Sequence, residues 1–157
     1  MAGGTPAVVA LRAAAVPFTE HRYEHDPATQ SYGLEAATAL GLPPEQVFKT
    51  LLCEIDGTPH VAIVPVTGQL DLKHAAAAVR GKKAEMMAVT AAERLTGYVA
   101  GGISPFGQKK RLPTIIDETA ELFDVIYVSG GRRGFDIGVA PQDLIRLLAA
   151  VVADIAR

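Results

Sequence analysis

Cysteine occurs once in this 157-residue chain, at Cys53, which excludes an internal disulfide and a thiolate metal cluster. No apolar run approaches the roughly 20 residues that span a bilayer. The longest near the C-terminus covers only residues 147–152. The N-terminus lacks a basic segment followed by an apolar stretch, so no secretion signal is expected and the chain reads as cytoplasmic. Charge of neither sign dominates: 15 Lys and Arg stand against 17 Asp and Glu, a formal net charge of −2. Any contact with a polyanion must then come from local basic clusters. The four histidines, His21, His25, His60 and His74, show no metal-ligand spacing on one element, and no Gly-x-Ser-x-Gly elbow surrounds a serine.

What remains is the composition of one globular domain over residues 1–157, with 49% hydrophobic and 20% charged residues. Thr5-Pro6 reads as a cap and first-turn proline opening a short helix, and residues 18–23 have strand character. Ser31 is placed to cap a helix over Tyr32–Leu40 that stops at Gly41. Residues 47–55 and 60–66 flank Asp56-Gly57 as a hairpin, and residues 70–79 form an alanine-rich helix. Thr90-Ala91-Ala92-Glu93 has the spacing of a capping box. Strands are expected over 112–116, 125–128 and 135–139. A last helix is expected from Pro141, with Leu144, Leu147, Leu148, Val151 and Ile155 on its apolar side. Strands and helices interleave without strict βαβ alternation, which predicts an α+β fold on a mixed sheet.

Two glycine-rich segments stand out. Gly101-Gly102-Ile103-Ser104-Pro105-Phe106-Gly107 runs directly into Gln108-Lys109-Lys110-Arg111. Glycines leave amides open to an anion, and Lys109, Lys110 and Arg111 can hold phosphate; a plain surface turn with a solvated basic tail fits as well. Ser129-Gly130-Gly131-Arg132-Arg133-Gly134 repeats the theme, as an anion site or an ordinary hairpin turn. Lys49 lies in an apolar strand, where a lysine needs a partner or a cavity. Asp136, within Phe135-Asp136-Ile137, is open to pairing with a cation or facing solvent. Cys53 fits a small buried hydrophobe better than a nucleophile. The chain thus offers a lysine, glycine amides and arginines, without a convincing protein nucleophile or base.

The same segments resemble a known family. Tyr23-Glu24-His25-Asp26-Pro27, Val47-Phe48-Lys49-Thr50-Leu51-Leu52, Gly68-Gln69-Leu70-Asp71-Leu72-Lys73, the Gly101 loop through Pro113, and residues 127–134 are similar to YbaK-type Cys-tRNA(Pro) deacylases. The resemblance runs from about Thr5 to Arg157. It implies a curved, barrel-like mixed sheet flanked by helices, related to the editing domain of bacterial prolyl-tRNA synthetases. It also implies deacylation of Cys-tRNA(Pro) without metal or organic cofactor. The family's essential lysine falls on Lys49, with Gly101 and Gly102 beside it in the catalytic set. Tyr23, Thr50, Ser129, Asp136 and either Arg132 or Arg133 fall among the substrate-binding residues. The chemistry implied is attack by the substrate's own thiol on its ester carbonyl. Proline-tRNA identity is expected to depend on a partner, prolyl-tRNA synthetase. Rival readings are an Ala-tRNA(Pro) or broad-specificity hydrolase on the same fold, and a non-catalytic tRNA- or synthetase-binding module.

Overall fold

A computed structural model describes residues 4–157. Helix α1 (Pro6–Ala13) opens as its sequence dictates: the Thr5 hydroxyl accepts from the Val8 amide, and Pro6 occupies the first turn. Strand β1 (Thr19–Arg22) leads to α2 (Tyr32–Leu40), closed by Gly41 in the left-handed conformation, although Ser31 makes no side-chain cap. The hairpin forms as β2 (Phe48–Ile55) and β3 (Thr58–Pro65) around Asp56-Gly57. Then follow α3 (Leu72–Ala78), β4 (Ala84–Met86), α4 (Val89–Thr96), β5 (Thr114–Asp117), β6 (Ile126–Arg132), β7 (Phe135–Val139), α5 (Pro141–Leu148) and β8 (Val151–Ala153).

The strands make two sheets. One is antiparallel in the order β1-β7-β6; the other is mixed, in the order β4-β2-β3-β5-β8, with β5 parallel to β3 and to β8. The mixed α+β class is as expected. Among the described residues a parallel bridge, Val47 to Tyr127, joins the two sheets, which do not close into a full barrel. Strand β3 is buried on both faces, Val61 and Ile63 in the larger core and Ala62 and Val64 in the second. Its unbroken apolar run is the signature of such a strand.

Three local expectations need correction. Thr90-x-x-Glu93 is no capping box, because Ala88 is the cap position and Thr90 lies inside α4; Glu93 instead accepts from the Ala100 amide at 2.8 Å. The final helix ends at Leu148, where Ala149 turns left-handed at φ 50°, and Val151 belongs to a strand. Asp117 draws that tail in. Its carboxylate, buried in the core, accepts from the Ile155 and Ala156 amides at 2.9 and 3.0 Å, satisfying chain ends that a helix would have bonded internally. Strand β6 also runs to Arg132, past the expected 128, through a bulge between Ser129 and Arg132.

Candidate active site

Between the two sheets lies a cavity of about 430 Å³. Strand β2 supplies one wall with Phe48, Lys49, Thr50, Leu51 and Leu52. The antiparallel sheet supplies Asp136 from β7 and Ser129 from β6, which lie opposite each other in register, and Tyr23 just past β1. The start of α2 and the loop at Ala100, Gly101 and Ile103 close the sides. Met86, Met87, Val89 and Ala92 make the remaining wall apolar, and methionine adapts readily to a soft ligand.

The polar groups are few and unusual. Asp136 is 6% exposed and has no ion pair or hydrogen bond for its carboxylate among the described residues. Burial pushes its pKa up to about 7. It is the group expected either to pair with a cation or to face solvent, and it does neither. Tyr23 is raised to about 12 by burial and then by the nearby Asp136 charge, so its phenol stays protonated. Lys49 is half-buried, and desolvation lowers its pKa. The Thr50 hydroxyl is buried without a hydrogen-bond partner, the one such side-chain atom among the described residues.

The glycine loop is less open than its composition suggests. The Gly102 amide donates to the Val99 carbonyl at 2.9 Å, so it is already used. A Cβ at Gly102 would stand 2.6 Å from the Arg132 Cα, so this glycine exists for close packing of the loop on the β6–β7 turn. Gly107 is pressed against the Pro6 carbonyl in the same way, and the Tyr98 hydroxyl donates to the Phe106 carbonyl at 2.6 Å. Of the loop glycines, Gly101 lines the cavity with no hydrogen bond to its amide among the described residues, with φ at 84° and the Tyr32 ring where a Cβ would go.

The two arginines separate. Arg133 donates through Nε to the Ala100 carbonyl at 2.8 Å and lies over the Tyr32 ring at 5.0 Å, which puts it at the cavity mouth. Arg132 lies over Phe135, off the cavity. Tyr32, read from sequence only as the first residue of a helix, is central here: it packs on His25, whose ring nitrogen lies 2.7 Å from Glu35. No local signal marks its contacts with Gly101 and Arg133, which lie far along the chain. Lys109, Lys110 and Arg111 are exposed and outside the cavity lining, with Arg111 donating to the Leu147 carbonyl at 3.3 Å. Cys53 lies in the second core, away from the cavity, its thiol raised to about 11 by burial.

A deep pocket with a desolvated lysine, a near-neutral carboxyl and a free glycine amide suits an ester carbonyl, and comparisons with known proteins point the same way. The family model of the aminoacyl-tRNA editing domain matches residues 26–147. A protein of Enterococcus faecalis provisionally described as the Cys-tRNA(Pro)/Cys-tRNA(Cys) deacylase EbsC is 38% identical over 141 residues, 89% of this chain and 85% of that one. The multifunctional Ser/Thr-tRNA deacylase ProXp-y of Escherichia coli is 31% identical over 115 residues, 70% of this chain and 66% of its own. A solved structure provisionally described as a trans-editing enzyme for prolyl-tRNA synthetase superposes with a TM-score of 0.82 at 26% identity, over 97% of this chain and 95% of that one. The chain therefore belongs to the aminoacyl-tRNA editing family, in its YbaK/EbsC group of aminoacyl-tRNA deacylases. Among the described residues, no helix is long and apolar enough to cross a membrane.

Proposed function

We propose that the chain clears cysteine from tRNA(Pro), with the substrate's own thiol as nucleophile. One observation carries this: the cavity holds groups with the chemistry to bind and polarise an ester, yet the chain's single thiol is buried elsewhere and serine hydroxyls there lack a paired base. In this reading the sulfur attacks the ester carbonyl, the bond to the ribose oxygen breaks, and the tRNA leaves with a free hydroxyl. The amino acid departs as a cyclic thioester that water then opens. Asp136, poised near 7, takes the thiol proton and returns it to the ribose oxygen. The Gly101 amide meets the developing oxyanion, and Lys49 holds the carbonyl or the terminal phosphate–ribose. Because attack is intramolecular, positioning alone can supply several kcal/mol, about 7–11 at best. The apolar wall of Met86, Met87 and Val89 suits a thiol better than a hydroxyl.

A second reading follows from the likeness to the Ser/Thr-tRNA deacylase: Asp136 activates a water, and the side chain of the amino acid is merely accommodated. Tests on tRNA(Pro) charged with cysteine, alanine and serine, following ester loss, decide the spectrum. Loss of cysteine alone supports the first reading. Loss of alanine, which carries no nucleophile, supports the second. No loss from any ester, with tRNA still bound, makes the chain a binding module. Proline-tRNA identity is expected to come from prolyl-tRNA synthetase, a reading supported by the likeness to a structure described as a trans-editing enzyme for that synthetase.

A further inference from the structure

Alternation along β1 and β7 puts Arg22 and Phe135 on the opposite face of the antiparallel sheet from His21 and Asp136. On that far face a second recess of about 240 Å³ opens, lined by Arg12, Arg22, Arg132, Glu20 and Phe135 beside the start of α1. Glu20 serves two of the arginines: Arg22 donates to Oε1 at 2.8 Å, and Arg12 lies 3.5 Å from Oε2. Among the described residues no carboxylate comes within 4 Å of Arg132. Three guanidiniums against one carboxylate leave an excess of two positive charges in a chain whose net charge is −2.

The arrangement is ordered as well as basic. Arg22 and Arg132 lie over the Phe135 ring, 4.8 and 5.1 Å from its centroid. A ring beneath each guanidinium fixes its plane and leaves the N–H edge for an acceptor, the geometry that suits phosphate oxygens. The β6–β7 turn joins this recess to the cavity. Arg132 faces the recess while its neighbour Arg133 stands at the cavity mouth on Tyr32. Consecutive Cα atoms are only about 3.8 Å apart, so the turn presents one cation to each side of a strand laid across it.

We infer that the recess binds phosphodiester groups of the RNA whose aminoacylated end occupies the cavity, the strand crossing the β6–β7 turn between Arg133 and Arg132. The inference rests on the editing reading for the identity of that RNA, and its test does not depend on deacylation. Fluorescence anisotropy of uncharged tRNA, over a series of NaCl concentrations, compares the unaltered chain with Arg22→Gln/Arg132→Gln and with Arg132→Gln alone. Both arginines are largely exposed, and a circular-dichroism melt verifies that the variants fold. The double variant is expected to bind roughly tenfold more weakly at low salt, with a log–log salt slope shallower by about one to two. The single variant, which leaves the Glu20 pairs intact, is expected to fall between. An unchanged slope in folded variants overturns the inference. So does a recess that takes inorganic phosphate, by calorimetry, while the RNA slope stays the same: the site would then serve a free phosphate. If the slope falls but no ester is ever cleaved, the recess stands and the editing reading fails.

Discussion

At pH 8 the folded chain must hold Asp136 charged where burial keeps its pKa near 7. The unfolded carboxyl titrates near 3.9. Between those values the folded state keeps a proton that the unfolded state has released, so stability falls as pH rises through the window from about 4 to 7 and levels off above it. Asp136→Asn removes that cost. It is expected to be more stable than the unaltered chain at pH 8, by as much as roughly 4 kcal/mol. The difference should vanish by about pH 4 in urea titrations, while activity is lost. Equal stability of the two proteins at every pH would mean that Asp136 ionises as an ordinary exposed carboxylate. Lys49→Ala removes a half-buried charge and little core volume, so melting should change little while deacylation disappears. Near-normal turnover in that variant would take Lys49 out of the site. Cys53→Ala is expected to keep full activity and to lose about 1–2 kcal/mol of packing. A thiol with its pKa near 11 inside a core should also resist alkylation at pH 8 until the chain is unfolded.

Between residues and the whole fold, the glycine loop and the β6–β7 turn decide how the site is held. Gly102→Ala drives a methyl into the Arg132 backbone, where nothing flexible can yield. A lower melting temperature is therefore expected, with activity falling as the loop is pushed off the turn. Gly101→Ala meets only the Tyr32 ring, but at φ 84°, so both strain and a displaced mouth are expected. A Gly102→Ala variant as stable as the unaltered chain would show that the contact is not tight. These elements also mark how far the sequence could be read. The Thr5-Pro6 start of α1, the Gly41 stop of α2 and the Asp56-Gly57 turn were legible because their causes lie within a few residues. The end of α5 was not, because Asp117 captures the 155–156 amides from far along the chain. Strands β4 and β8 are three residues each, and pairing with β2 and β5 creates them rather than any local preference. In the site, Lys49 and Asp136 announced themselves as charges in apolar strands. The choice between Arg132 and Arg133 depended on where β6 ends, since Arg132 is its last residue, paired with Phe135, and Arg133 lies in the turn; the use of the Gly102 amide depended on a turn closing at Val99.

At the scale of the molecule, two sheets joined by the Val47–Tyr127 bridge leave a gap, and the gap is the candidate site. That architecture explains why the polar groups come from β2, β6, β7 and the Gly101 loop without a classical arrangement of nucleophile, base and orienting acid. Burial between the sheets also raises the Asp136 carboxyl to near neutrality, the condition under which it can both accept and return a proton. The central claim is that the attacking atom belongs to the substrate. Serine differs from cysteine by oxygen in place of sulfur, keeps nearly the same shape, and offers a hydroxyl that is hardly ionised at neutral pH. The most direct test is the single-turnover rate of ester loss from tRNA(Pro) charged with cysteine and with serine, at saturating protein. The expected result is a cysteine rate faster by orders of magnitude with similar binding of the two. Equal rates would contradict the account and give the attack to a water activated by Asp136.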